Sequence, residues 1–343
     1  MKRRHSGIIA LILTVVSVII VIAGIGIGSE SISFATAWQD WRAGKPLTEA
    51  PELAILLQHR FPRTLAALLA GGGLALAGCV FQALLRNPLA TPYTLGVASA
   101  GAFGAYTATV FMRSVGVTLA LWGFSPVQVF AFVFALFDVS LIYLMAVRRH
   151  HVSSSVLLLA GITLGMLSSA GMMLVRFLSD PGMLAMMERW LMGGVDVIGY
   201  EPVVTLAIGV LPCGGVLLLQ AAKFDQLGFG VEIAQGRGVN VRRLQTTTFL
   251  LGSLLTAVVV SEVGPIGFVG LIVPHAVRSM TGSRHRLLMP LSFLAGGAFL
   301  CLCDIFARKA LPGETPIGII TSFIGGPFFL YLLLRRRFGD WET

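Results

Sequence analysis

Few side chains in this 343-residue sequence are placed to do chemistry, and most of them stand alone. The four cysteines, Cys79, Cys213, Cys301 and Cys303, have neither zinc nor redox spacing. Cys301 and Cys303 would also point to different helix faces, so all four read as small packing residues. His275 has no second histidine or carboxylate at ligand spacing, so it reads as a structural hydrogen-bonding residue and no metal site is expected. No phosphate-cradling Gly-x-x-x-x-Gly-Lys-Ser/Thr loop, Gly-x-Ser-x-Gly elbow or His-Glu-x-x-His helix occurs. The chain is therefore expected to bind no cofactor and to be no enzyme. Asp138 is the carboxylate deepest inside an apolar run. It reads as a bond to a neighbouring helix or, alternatively, as the titratable group of an ion-coupled transporter.

The elements that would position these residues are membrane helices. The sequence is 56% hydrophobic and only 12% charged, which excludes disordered, collagenous and disulfide-scaffold classes. Apolar runs near the spanning length of about 20 residues recur from end to end. They are 7–28, 64–85, 92–111, 127–147, 156–175, 203–222, 246–263, 266–280, 287–303 and 317–334. Each is read as a helix, because a lipid-exposed strand could not satisfy its backbone. Ala35-Thr36-Ala37 resembles a signal-peptide cleavage site, but the first run is longer than the apolar core of such a peptide and reads as a retained helix. The run at 266–280, which Pro274 interrupts, is the weakest of the ten.

Ten spans put both termini on the same side. If that side is the cytoplasm, 16 of the 25 Lys and Arg fall inside, against Asp225, Glu232, Asp340 and Glu342. The formal charge of +9 is thus an orientation signal that follows the positive-inside rule, and a nucleic-acid partner is not indicated. The expected fold is an all-α polytopic bundle of about ten transmembrane helices, forming one domain over residues 1–343 in contact with the lipid bilayer.

Two runs predict helices that pack on protein. Ala67, Gly71, Ala75, Cys79 and Ala83 repeat every four positions, as do Gly96, Ala100, Gly104 and Ala108. Such ladders let helix backbones approach closely. Seven of the twelve methionines lie between Met166 and Met192, after a small, mildly polar set that includes Gly161, Thr163, Gly165, Ser168 and Ser169. Flexible, polarizable methionines suit a surface that repacks around bulky cargo.

Two longer motifs decide the reading. The first is Arg60-Phe-Pro-Arg63, then Gln82, Asn87-Pro88 and Pro92, with Leu95-Gly96 following. The second is Gly264-Pro265 through Pro274-His275 to Arg278, then Asp304 to Arg308, Glu314 to Gly318 and Gly325-Gly326-Pro327-Phe328. Asn87-Pro88 and Pro92 should end one helix and start the next. Gly264-Pro265 should break the seventh span. Between the sixth and seventh spans, 223–243 is too polar to cross a membrane and reads as two short helices around Gly236 and Gly238.

In order and spacing, these motifs resemble the FecCD family, the membrane subunits of type II ABC importers for ferric siderophores, haem and cobalamin. The resemblance covers about residues 60–330. It implies a permease of the cell's inner membrane, working as a homodimer with ABC ATPase subunits that use the ATP. It also implies a periplasmic or lipid-anchored binding protein that delivers the cargo, with a ferric siderophore as the expected one. Within 223–243 it assigns ATPase coupling to Leu227, Gly228, Ala234, Gln235, Gly236, Gly238 and Val239, with Arg237-Gly238 standing where the family usually has Leu-Gly. Arg60, Arg63 and Arg308 match family arginines that meet acidic residues of the binding protein. The pathway is expected along the fifth and tenth helices.

Overall fold

The computed structural model describes residues 2–115, 125–148, 154–309 and 315–335, and no strand occurs among them. The chain runs α1 (Lys2–Gly26), α2 (Phe34–Arg42), α3 (Pro51–Ala54), a π-helical turn Ile55–Arg60, α4 (Phe61–Leu85), α5 (Val97–Val115), α6 (Pro126–Arg148) and α7 (Ser154–Phe177). It continues with α8 (Pro181–Leu191), α9 (Glu201–Leu219), α10 (Ala221–Leu227), α11 (Val231–Gly236), α12 (Val241–Val263), α13 (Val269–Thr281), α14 (His285–Lys309) and α15 (Ile317–Arg335).

All ten expected spans are helical. Among the described residues seven helical segments are long and apolar enough to cross a membrane, and Val97–Met112 and Ile317–Tyr331 are shorter apolar helices. With only 13 residues, α13 is about 20 Å long, too short for a hydrocarbon core of about 30 Å. The molecule is an all-α, multi-pass membrane protein.

The small-residue ladders explain the packing. α4 is central: 83% of its spanning window is buried, against 11% for α1. Ala67, Gly71, Ala75 and Cys79 are fully buried on α4, and Ala83 is half-buried. A Cβ at Gly71 would lie 2.3 Å from the Gly296 carbonyl oxygen of α14, and one at Gly78 would lie 1.8 Å from the Gly270 carbonyl of α13. On α5, a Cβ at Gly104 would lie 2.4 Å from the Phe130 carbonyl of α6. Backbone therefore meets backbone at three crossings, as such ladders permit.

Several expected boundaries move. α4 continues a helix that starts at Pro51, so Arg60 and Arg63 lie within a rigid element of 35 residues. Arg86 takes a left-handed conformation at the end of α4, and the Asn87 side chain accepts the Leu89 N–H at 2.9 Å. Asn87-Pro88 thus ends α4 as expected. Pro92 opens only a 3₁₀ turn, Tyr93–Leu95, and α5 starts later, beyond Gly96 at φ +81°. Pro274 does not interrupt its helix either, since α13 runs through it. The polar segment breaks twice: at Gly228–Gly230, between α10 and α11, and again after Gly236, where Gly238 at φ +82° turns the chain toward α12.

Candidate functional site

The bundle has two differentiated ends. α4 and α14 both run the full distance between them, which fixes the ends relative to each other.

At one end sit α10 and α11. Leu227, Ala234 and Val239 are buried and hold this short pair on the bundle, while Gly228, Gln235, Gly236 and Gly238 are exposed. Phe229, Val231 and Ile233 also present apolar surface to the outside, and the Arg237 guanidinium lies 5.4 Å from the Phe229 ring centre. Two bonds tie α10 to the long helices. Arg86, at the end of α4, donates to the Leu227 carbonyl at 3.1 Å. Asp225 accepts the backbone N–H of His285, the first residue of α14, at 2.6 Å, and contacts its Nδ1 at 3.0 Å. A carboxylate at a helix N-terminus satisfies a donor that has no partner within the helix and complements the macrodipole. α10 is thus bonded directly to the ends of both core helices.

The motif residues between the ends form a lattice of turns and crossings. Pro274 lacks an N–H, so the Gly270 carbonyl four residues earlier loses its helical donor. The buried Gln82 amide of α4 donates to that carbonyl at 3.2 Å, and its oxygen accepts from Arg278 at 3.2 Å. Gly264, at φ +68°, turns the chain into Pro265, and the next N–H, on Ile266, donates to the Tyr93 hydroxyl at 2.5 Å. Gly318 donates to the Gly193 carbonyl at 3.2 Å, in contact too close for a side chain. His275 is half-buried on α13. Among the described residues no group of three or more His, Cys, Asp or Glu is placed to hold a metal ion. All four cysteines are buried and free.

At the opposite end lie the three arginines, largely inside the protein. Arg60 is 4% and Arg308 is 8% exposed. Arg60 donates to the carbonyls of Gly26 (2.8 Å), Ile25 (3.4 Å) and Glu30, and Arg308 to that of Gly24 (3.2 Å). Those of Gly24, Ile25 and Gly26 are last-turn carbonyls of α1, which has no basic residue of its own there, and Glu30 follows in the connection to α2. Two guanidinium forks thus cap the C-terminus of α1 across the fold. Asp304 accepts from Arg63 at 2.8 Å and pairs with Arg308 at 2.7 Å. In the single chain Arg60 and Arg308 are thus both engaged internally. Beside them is a cavity of about 350 Å³ whose lining includes Glu30, His59, Arg60, Arg63, Arg189 and Asp196. The exposed arginine there is Arg189, 3.5 Å from Asp196.

A second cavity, about 400 Å³, lies against α7. Ile162, Gly165, Met166, Ser169 and Met173 recur at helical spacing along its wall, facing Tyr93, Gly96 and Ser99. The lining is apolar with scattered hydroxyls and carries no charge. Asp138 is buried behind it, near Gly96, and its Oδ2 has no hydrogen-bond partner, so this oxygen does not form the expected interhelical bond.

Residues 13–335 match the FecCD transport family. The chain belongs to that family. Like the hemin transport system permease protein HmuU of Yersinia pestis, it is a transport permease, 35% identical to it over 95% of each chain. It is also 33% identical to the molybdate import system permease protein MolB of Haemophilus influenzae, over 95% of each chain. A solved structure, an inward-facing conformation of a metal-chelate type ABC transporter, superposes with a TM-score of 0.82 at 31% identity, covering 96% of this chain and 99% of that one. The expectation drawn from the motifs holds at this level: the protein is an ABC importer permease of the FecCD family, and its relatives are permease subunits rather than enzymes.

Sequence reasoning missed three parts of this FecCD permease. Arg189 lies on α8, whose apolar stretch Met183–Met187 is too short to read as a span. Asp225 and Arg86 are polar residues whose partners lie 60 and 141 positions away. The helices between α1 and α4 were missed because their composition is mixed; Ser33, accepting from the Thr36 N–H at 3.2 Å, was the available N-cap signal.

Proposed function

We propose that two copies of this permease form the pathway of an importer in the cytoplasmic membrane. In this reading it accepts a bulky iron chelate, a ferric siderophore foremost, from an outer binding protein and releases it inside. Partner ATPases drive the alternation. The observation that carries this reading is the uncharged wall of α7, where Met166 and Met173 are about 70% exposed in the single chain beside Ser169 and Gly165. Soft, mobile thioethers with a few hydroxyls suit a large chelate whose metal is already ligated, and would hold it without trapping it. α15 likewise leaves Phe323 and Leu330 uncovered, which supports α7 and α15 as the helices that face the cargo or the second copy.

The exposed Phe229, Val231 and Ile233 are proposed to dock on the ATPases, with Asp225 and Arg86 passing the motion to α14 and α4. Binding-protein carboxylates are proposed to meet the arginine-lined cavity through Arg63 and Arg189. Haem and cobalamin remain alternative cargoes for the same machinery.

The test is uptake into proteoliposomes holding the permease, its ATPase and its binding protein. Labelled ferric siderophore should accumulate only with ATP inside the ATPase compartment. Accumulation of haem or cobalamin instead would reassign the cargo. Uptake that persists with a catalytically dead ATPase and follows an ion gradient would favour the Asp138-based secondary-transporter reading, which the unpartnered Asp138 oxygen motivates.

A further inference from the structure

We propose that α2 is an interfacial helix that seats Phe34, Trp38 and Trp41 among the lipid headgroups at the arginine end of the bundle. α2 divides into three stripes. Ala37 and Asp40 are buried, and Ala37 joins Ala50 and Leu53 in a small core separate from that of the bundle. About a quarter turn around the helix, Phe34, Trp38 and Trp41 are 49%, 53% and 57% exposed. Opposite this aromatic stripe stand Thr36 and Gln39, both exposed. A helix lying at the rim of a membrane protein needs this order: protein on one flank, lipid beneath, water above.

The height of α2 is set by its neighbours. α1 is a membrane span that ends at Gly26, where Arg60 caps its carbonyls, and α2 begins after seven further residues. The helix Pro51–Leu85 has 35 residues and is about 52 Å long, so some 20 Å of it must leave a hydrocarbon core of about 30 Å. Its first turns, with Leu53, pack on α2 outside that core. The backbone N–H of Ser33 donates to Glu52 at 3.3 Å and fixes the entry to α2 against α3.

The chemistry of the stripe fits headgroups rather than acyl chains. Trp38 and Trp41 lie with ring centroids 4.9 Å apart, and the Arg42 guanidinium sits 5.3 Å from the Trp38 ring centre. Amphipathic indoles beside a cation are the residues that belts at membrane–water interfaces use. The partner assigned here is therefore the lipid surface itself, and the assignment depends on the membrane fold alone, not on the cargo or on the ATPase.

The experiment uses the full-length protein in phosphatidylcholine vesicles, with Trp122→Phe, Trp190→Phe and Trp341→Phe leaving Trp38 and Trp41 as the fluorophores. Bromine placed near the headgroup should quench their emission at least twofold more than bromine at the chain ends. Acrylamide in the water should quench weakly. Emission insensitive to both brominated lipids and quenched by acrylamide would overturn the proposal. So would shielding that develops only when a binding protein is added, since the stripe would then be a protein-docking face. If the triple variant does not fold, the native chain is compared with Trp38→Phe/Trp41→Phe. The component quenched by headgroup bromine should disappear in that variant, and its persistence would equally sink the idea.

Discussion

Gln82 supplies the hydrogen bond that Pro274 denies to the Gly270 carbonyl, across 188 residues of sequence and at 3.2 Å. Proline within a helix normally costs stability because its ring removes a donor and crowds the preceding turn. Here the carbonyl it frees becomes the attachment point between α13 and the central helix. Gln82→Leu should therefore lower stability by about 1–3 kcal/mol, the usual cost of stranding a buried polar group. Pro274→Ala restores the N–H, so the same substitution should cost markedly less in that background. Thermal unfolding of the four proteins in detergent gives the coupling energy directly. An unchanged cost would mean that Gln82 acts through Arg278 or the Leu271 carbonyl, 3.4 Å from its amide nitrogen, and not through the Gly270 carbonyl.

The crossing beside this bond sets a stricter limit. A methyl at Gly78 would fall 1.8 Å from the Gly270 carbonyl oxygen, a backbone atom that cannot swing aside. Gly78→Ala should force α4 and α13 apart and either abolish folding or cost more than about 3 kcal/mol, beyond the ordinary range of overpacking. Gly215, in α9, has nothing within 4 Å of the same position. Gly215→Ala should be neutral or stabilising by up to about 1 kcal/mol, since only helix propensity changes. Yield of monodisperse protein and unfolding midpoint would separate the two.

Coupling should depend on one carboxylate. Asp225→Ala removes the acceptor for the first N–H of α14, whereas Asp225→Asn keeps an oxygen in place. The alanine variant should still bind the ATPase, because Phe229 and Ile233 are untouched, but transport should fall at least tenfold. The asparagine variant should recover most of it. Ile233→Asp should instead weaken ATPase association itself, read by co-purification. If Asp225→Ala transports normally, motion reaches the core by another route.

Asp138 should prove dispensable. Its Oδ2 is unpartnered in a buried site, and an uncompensated buried charge destabilises by several kcal/mol. Asp138→Asn should leave ATP-driven uptake within about twofold of the parent and leave stability unchanged or raised. Loss of uptake with intact folding and ATPase activity would give this carboxylate a role in transport.

Much of this was legible in the sequence, for reasons that differ by residue. The ladder Ala67–Gly71–Ala75–Cys79 announced a central helix because close backbone approach leaves a periodic trace in one segment. Asn87-Pro88 and Gly264-Pro265 announced breaks because their effect is local to the backbone. The capping roles of Arg60 and Arg308 were not legible, since the carbonyls of Gly24, Ile25 and Gly26 have no sequence signature; only the Asp304–Arg308 pair, four residues apart, has one. α2, α3 and α8 were passed over because hydropathy detects burial in lipid, and these helices bury one face on protein at the rim. At the arginine end Lys45, Arg63, Arg176, Arg189 and Arg308 each pair with a nearby acid, and hydropathy does not register such pairs.

That distinction separates clamping from docking among the arginines. Arg60 caps α1 with a planar fork spread over several carbonyls, a geometry that an ammonium point charge cannot reproduce. Arg60→Lys should therefore loosen α1 nearly as much as Arg60→Ala, lowering the unfolding midpoint and raising proteolysis at Ser29–Ser33. Arg189 is 73% exposed at its side chain, and its pairing with Asp196 is worth at most about 1 kcal/mol. Arg189→Glu should leave the midpoint unchanged while slowing association of the binding protein several-fold, with the effect shrinking as salt rises. Surface plasmon resonance on the reconstituted permease measures the second, and differential scanning fluorimetry the first. Should Arg60→Lys keep full stability and lose only binding-protein association, the clamp reading of Arg60 fails and its docking role is primary.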